Sequence, residues 1–136
     1  MREIKFKVWD KEFKRFVIYS PHISIDINGN VYNLQNGEGN DNYELLQYTG
    51  LKDKKGKEIY ESDIIFGRRG IETVIFFDAG FHPFCNDIDP SFPEESEILG
   101  NSYELKEYPE KKEEILKRAA EIEIELREKY KNESRD

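Results

Sequence analysis

Cysteine is almost missing from this chain, with one in 136 residues. Cys85 therefore closes no internal disulfide, a usage that fits a reducing compartment. Histidine is nearly as scarce, with only His22 and His82, and no Cys-x-x-Cys pair is present to complete a zinc site, which needs three or four ligands. No apolar run approaches the roughly 18 residues that span a bilayer, so no membrane association is expected. The opening Met1-Arg2-Glu3-Ile4-Lys5-Phe6 alternates charged and apolar side chains and lacks the apolar stretch of a secretory signal. The expected location is the cytoplasm. Positive charge is also in deficit: 29 acids against 21 bases leave a net charge of −8, which repels a polyanion at long range.

Aromatic residues are plentiful instead. Nine Phe, eight Tyr and one Trp are far more than a disordered chain carries, and the length suits a single domain around one core. The first hundred residues read as short strands and turns. Ile4, Phe6 and Val8 alternate with Lys5 and Lys7 as in a half-buried strand. Asp10-Lys11-Glu12 is a polar turn, and Phe13 to Tyr19 resumes a strand-like composition, which predicts a hairpin. Asn28-Gly29, between Ile23–Ile27 and Val31–Leu34, predicts a second hairpin whose tight turn has two positive-φ residues. Residues 36–42 have nothing apolar to bury and read as a loop. Tyr43 to Tyr48 reads as a strand ended by Thr49-Gly50, and Asp53-Lys54-Lys55-Gly56 as a type I turn. Ile59-Tyr60, Ile64-Ile65-Phe66 and Glu72 to Phe77 supply further strands. Residues 85–97, with Pro90, Pro93 and the acids Asp87, Asp89, Glu94, Glu95 and Glu97, read as a wet irregular loop, and 98–103 as a last short strand. Frequent turns between short strands imply a small, partly open barrel-like sheet domain of the Src-homology type over residues 1–106.

From Pro109 to about Lys131 the pattern changes to a helix. Proline suits a first turn, early glutamates complement the helix dipole, and pairs such as Glu113 with Lys117 and Glu123 with Arg127 sit at i,i+4. The segment 107–136 is thus a charged C-terminal helix. Its apolar stripe, Ile115, Ala119, Ile122 and Leu126, has heptad spacing and either docks on the chain's own sheet or zips against a second copy, making a homo-oligomer one expectation.

The stretch Gln47-Tyr48-Thr49-Gly50-Leu51-Lys52-Asp53-Lys54-Lys55-Gly56-Lys57-Glu58-Ile59-Tyr60-Glu61-Ser62-Asp63-Ile64-Ile65 resembles the signature of the YopX family of phage and prophage proteins. Ile4-Lys5-Phe6-Lys7-Val8-Trp9-Asp10-Lys11 resembles that family's start, and Glu97-Ile98-Leu99-Gly100-Asn101-Ser102-Tyr103-Glu104 its closing motif. The resemblance covers about the first 105 residues and implies a mostly β protein of phage or prophage origin, without an established activity, that lies in the cytosol of a bacterial host. The family pattern usually has Gly where this chain has Ser62, so Ser62 either bears a left-handed strain or marks a turn that does not need one. Physically the signature reads as structural grammar: Gly50 and Gly56 permit tight turns, Tyr48 and Tyr60 pack rings, and Gln47, Thr49, Asp53 and Asp63 serve turns and loop backbone.

Catalytic chemistry is thinly supplied. His82, Cys85 and Asp87 are the only His, Cys and carboxylate cluster, and His82 meets Cys85 only if Pro83 turns the chain. Asp87-x-Asp89-x-Ser91 begins like a calcium loop but has Phe92 where glycine is needed and Ile98 at the twelfth position. Gly37-x-Gly39 lacks the strand and helix of a nucleotide fingerprint. No enzyme activity, metal or cofactor is expected. The leading expectation is an interaction protein whose partner is an unidentified host or phage protein or a second copy of the chain. The alternative is a nucleic-acid module in which Lys5 and Lys7 meet phosphates and Trp9 stacks a base.

Overall fold

Each strand forms where β-branched and aromatic residues fall between turn-formers. The computed structural model describes residues 3–18, 22–35, 37, 39–86 and 88–133. Met1, Arg2, Tyr19, Asn36, Glu38, Asp87 and residues 134–136 take part in the expectations above and lie outside the described residues. The elements are β1 (Phe6–Asp10), β2 (Arg15–Phe16), β3 (Ile23–Ile25), β4 (Val31–Asn33), β5 (Tyr43–Lys52), β6 (Glu58–Tyr60) and β7 (Asp63–Gly67). Then come β8 (Gly70–Thr73), β9 (Ile75–Phe77), β10 (Gly80–His82), β11 (Glu97–Asn101), α1 (Ser102–Glu107) and α2 (Lys111–Glu133). One sheet has the order β2-β1-β5-β6 and another β11-β7-β8; β9 with β10 and β3 with β4 form ribbons. The fold is mainly β, a curled, partly open barrel with a C-terminal helix.

Turn chemistry decides the first hairpin. Asp10 Oδ1 accepts the amides of Glu12 at 2.9 Å and Phe13 at 3.0 Å, and Trp9 pairs with Phe16. Only Arg15 and Phe16 are strand, shorter than the run from Phe13 predicted, and Ile18 is fully in solvent. The second hairpin also differs from expectation. Ile25 pairs with Val31, and Gly29 alone, at φ +83°, turns left-handed. Asp26 Oδ1 accepts the amides of Asn28 and Asn30, each at 2.9 Å. A carboxylate inside the loop thus does what a two-residue turn would have done.

β5 is the spine. Its first half pairs with β1, from Tyr43 opposite Asp10 to Gln47 opposite Phe6, and its second half with β6. It does not end at Thr49-Gly50. The Thr49 hydroxyl donates to the Ile59 carbonyl at 2.7 Å and accepts the Leu51 amide at 3.1 Å, while Gly50 takes φ +83°, so the strand bends through an irregularity and continues.

The strand expected over Glu72–Phe77 is divided at Val74, which is fully buried. Its amide donates to the Asp63 carbonyl, and its carbonyl accepts the Ser62 amide. Tyr103 is helical rather than strand, because Asn101 caps α1 by accepting the Tyr103 amide at 2.9 Å. Pro109 sits in the approach to α2, its carbonyl taking the Lys112 amide at 3.0 Å.

Among the described residues three small cores stand where a single one was expected. Val8, Val31 and Tyr43 form the first, and Ile59, Ile65 and Val74 the second. Phe66, Ala119 and Ile122 form the third, against which Leu99 packs. Gly100 admits this helix: a Cβ there would lie 3.1 Å from Ile115 Cδ1. The stripe Ile115, Ala119 and Ile122 is buried on the chain's own sheet, so the docking alternative is the one this fold adopts. Leu126 is 37% exposed.

Candidate functional site: a polar cleft and an apolar hairpin

The signature residues come together where β5, β6, β7 and β11 meet. Gln47 and Glu61 are tied through main chain and side chain, the Gln47 amide donating to Glu61 Oε1 at 2.8 Å and the Glu61 amide to the Gln47 carbonyl at 3.0 Å. The rings of Tyr48 and Tyr60 lie 5.4 Å apart. Asp53 opens its turn as expected, with the Gly56 amide on its carbonyl and the Lys55 and Lys57 amides on Oδ1. Its second oxygen accepts the Ile98 amide at 3.0 Å and so fastens the turn to β11. Asp63 is buried with both oxygens engaged, Oδ2 by the Tyr60 amide at 2.8 Å and Oδ1 by Asn101 Nδ2 at 3.1 Å. Burial pushes its pKa above the usual carboxylate value against the pull of those bonds. Between them Ser62 takes φ +71°, the left-handed geometry that the glycine of the family pattern adopts without strain.

Beside this junction lies an open cleft of about 500 Å³, lined by Lys7, Phe16, Lys57, Tyr60, Asp63 and Glu104 among others. Lys7 Nζ stands 4.5 Å from the Tyr60 ring centroid and 5.5 Å from that of Phe16. The cleft wall thus brings two lysines and a tyrosine ring beside the carboxylates of Glu58, Asp63 and Glu104.

The remaining site expectations fare differently. Trp9 is 2% exposed, packed edge-on to Phe16 at 4.9 Å and beside Tyr103, so it stacks on protein and has no face for a base. Lys5 is held by Glu3 and Glu58, each at 2.8 Å, and those bonds raise its pKa. Trp9 therefore does not stand in the open beside Lys5 and Lys7, since β1 is buried from Val8 to Asp10. His82 Nε2 lies 3.1 Å from the Phe77 carbonyl, whereas Cys85 Sγ packs against Gly80 and is exposed. Among the described residues no group of three or more His, Cys, Asp and Glu is placed to hold a metal ion.

Glu97 was expected in a wet loop and is the chief correction there, being 3% exposed. Arg118 grips it with two bonds, Nε to Oε2 at 2.6 Å and Nη2 to Oε1 at 2.8 Å, and Lys54 and Lys55 approach the same carboxylate. Arg118 holds its pKa down to about 2. No local pattern marks this residue, because its main partner lies 21 positions away.

The other feature missed from sequence is the β9–β10 ribbon. Asp78 and Ala79, both at positive φ, make a two-residue turn, with Gly80 opposite Phe77 and His82 opposite Ile75. Ile75, Phe76 and Phe77 remain 50%, 58% and 64% exposed. Earlier in the chain Ile71 is also exposed, and Arg68 and Arg69 are ion-paired to Asp89. The run Val74-Ile75-Phe76-Phe77 was the available signal, since continuous apolar residues before a turn cannot all face one core.

No curated protein sequence matches the chain. Its fold is similar to the crystal structure of protein EF1440 from Enterococcus faecalis, with a TM-score of 0.52 and 20% identity over 79% of this chain and 98% of that one. The family model described as YopX protein matches residues 5–107, which include the β5–β7 junction, the cleft and β11. The chain belongs to the YopX family.

Proposed function

We propose that this YopX-family chain is a non-enzymatic accessory protein of phage or prophage origin that acts by binding a partner protein. The observation that supports the reading is the β9–β10 ribbon, a strand whose three residues Ile75, Phe76 and Phe77 are all at least half exposed. Exposed apolar side chains on both faces of a ribbon, Ile75 and Phe77 on one and Phe76 on the other, suit a chain that meets another molecule there. The signature supports it from the other side, because its Thr49, Asp53, Glu61 and Asp63 side chains are spent on the fold. Nucleic-acid binding through Lys5, Lys7 and Trp9 is the weaker reading, since Trp9 is buried.

The test is affinity capture from prophage-induced bacterial cells with the full chain and with Phe76→Ser/Phe77→Ser, alongside light scattering of both at micromolar concentration. A protein retained by the parent and lost from a folded double variant supports the reading, and a parent dimer that the variant dissolves identifies a second copy as the partner. Identical capture and scattering for the two proteins rejects it.

A further inference from the structure

The charges around the cleft do not cancel pairwise. Every acid on its wall is already committed within the fold. Glu58 is bound to Lys5 at 2.8 Å, Glu104 to Lys111 at 2.7 Å, and Asp63 to the Tyr60 amide and Asn101. The two cations on the wall are not. Among the described residues neither Lys7 nor Lys57 has an ion-pair partner, although ion pairs hold Lys5, Lys54 and Lys55 nearby. Beside Lys7 stand two ring faces, Tyr60 at 4.5 Å and Phe16 at 5.5 Å. Aromatic faces attract an ammonium but accept no directed hydrogen bond comparable to that of an oxygen, so its donors are left for a ligand. Asp63 feels the Lys7 charge, yet both its oxygens are used.

We infer that the cleft binds a carboxylate carried on an apolar body, with Lys7 and Lys57 as charge partners and the rings of Phe16 and Tyr60 as its floor. A single negative charge matches two ammonium groups set among Glu58, Asp63 and Glu104. A phosphate dianion meets the same three acids at a higher cost, on a protein whose net charge is −8. Two sources present this chemistry: a free carboxylic acid, or a glutamate flanked by apolar residues on a protein. The inference is independent of the apolar ribbon, which shares none of these residues.

Amide shifts of the isotopically labelled full chain, followed during titration, test it. The probes are benzoate, the peptide acetyl-Leu-Glu-Leu-amide, and inorganic phosphate. The expected result is saturable shifts at Lys7, Lys57 and Tyr60 with at least one carboxylate. Binding should weaken about tenfold or more in Lys7→Gln and in Lys57→Gln, and Lys57→Arg should retain it. Lys57 is exposed, so its variant reports on binding even if Lys7→Gln disturbs β1. Benzoate alone points to a free acid, and the peptide alone to a partner's glutamate. Absence of saturable shifts with both carboxylates, affinities unchanged in the two glutamine variants, or tighter binding of phosphate than of either carboxylate overturns the inference.

Discussion

The turn at Tyr60–Asp63 and the turn at Phe77–Gly80 use the same backbone device and end in opposite states. Each places non-glycine residues at positive φ: Ser62 at +71° in the first, Asp78 and Ala79 at +49° and +62° in the second. In the first, polar groups close on one another. Asp63 takes the Tyr60 amide and Asn101, and the Ser62 carbonyl takes both the amide and the hydroxyl of Ser102. Around it Ile59, Ile65 and Val74 are fully buried. In the second, His82 meets the Phe77 carbonyl and ring and Phe81 meets Phe76 edge-on, yet Ile75, Phe76 and Phe77 stay at least half exposed. A buried polar turn is held by what surrounds it, whereas the ribbon, anchored to the core through Phe81, keeps its β9 side chains free for a partner.

The contrast breaks most visibly at Ile65. Ile65→Ala should cost roughly 3–4 kcal/mol in urea unfolding, because the cavity opens in a filled core, while Phe77→Ala on the ribbon should cost under about 1 kcal/mol; equal losses would erase the difference between the regions. Glu97→Gln should cost about 2 kcal/mol, since it leaves Arg118, Lys54 and Lys55 facing a neutral group, with partial screening at their exposed ends. The pH dependence has a defined sign. Glu97 titrates near 2 in the folded chain against an ordinary 4.5, so the unfolded chain binds more protons between these values and stability rises with pH there. The parent's advantage over Glu97→Gln should be complete above about pH 5 and fade as pH falls toward 2; a gap that is constant over this window would deny the ion pair its role. The smallest effect is a gain. Ser62→Gly relieves the left-handed strain and should raise stability by about 0.5 kcal/mol, seen as a slightly higher thermal midpoint, and a loss would mean that the serine hydroxyl is worth more than the strain.

Local chemistry was readable wherever the residues that act on one another are close in the chain. Asp53 through Gly56, Asp10 with its turn, and the helix beyond Pro109 all follow from side chains and backbone within a few positions. The junction of Asp63 with Asn101 was not readable, being 38 positions apart, nor was Glu97 with Arg118. Trp9 shows the same limit: only packing against Phe16 and Tyr103 decided that its ring is interior. Val74 likewise breaks a run that looks continuous, because the main chain of Ser62 and Asp63 claims it.

What the order of amino acids determined alone is therefore the repertoire: short strands, their turns, a charged helix, and a YopX signature rich in turn-formers. These follow from torsional preference and side-chain period, which act over a handful of residues. The tertiary structure alone decided which acids are neutralised, which lysines beside the cleft have no ion-pair partner among the described residues, and which aromatic residues stay in water. Those outcomes depend on distances between groups far apart in the chain, and Coulomb attraction and desolvation depend on distance in space.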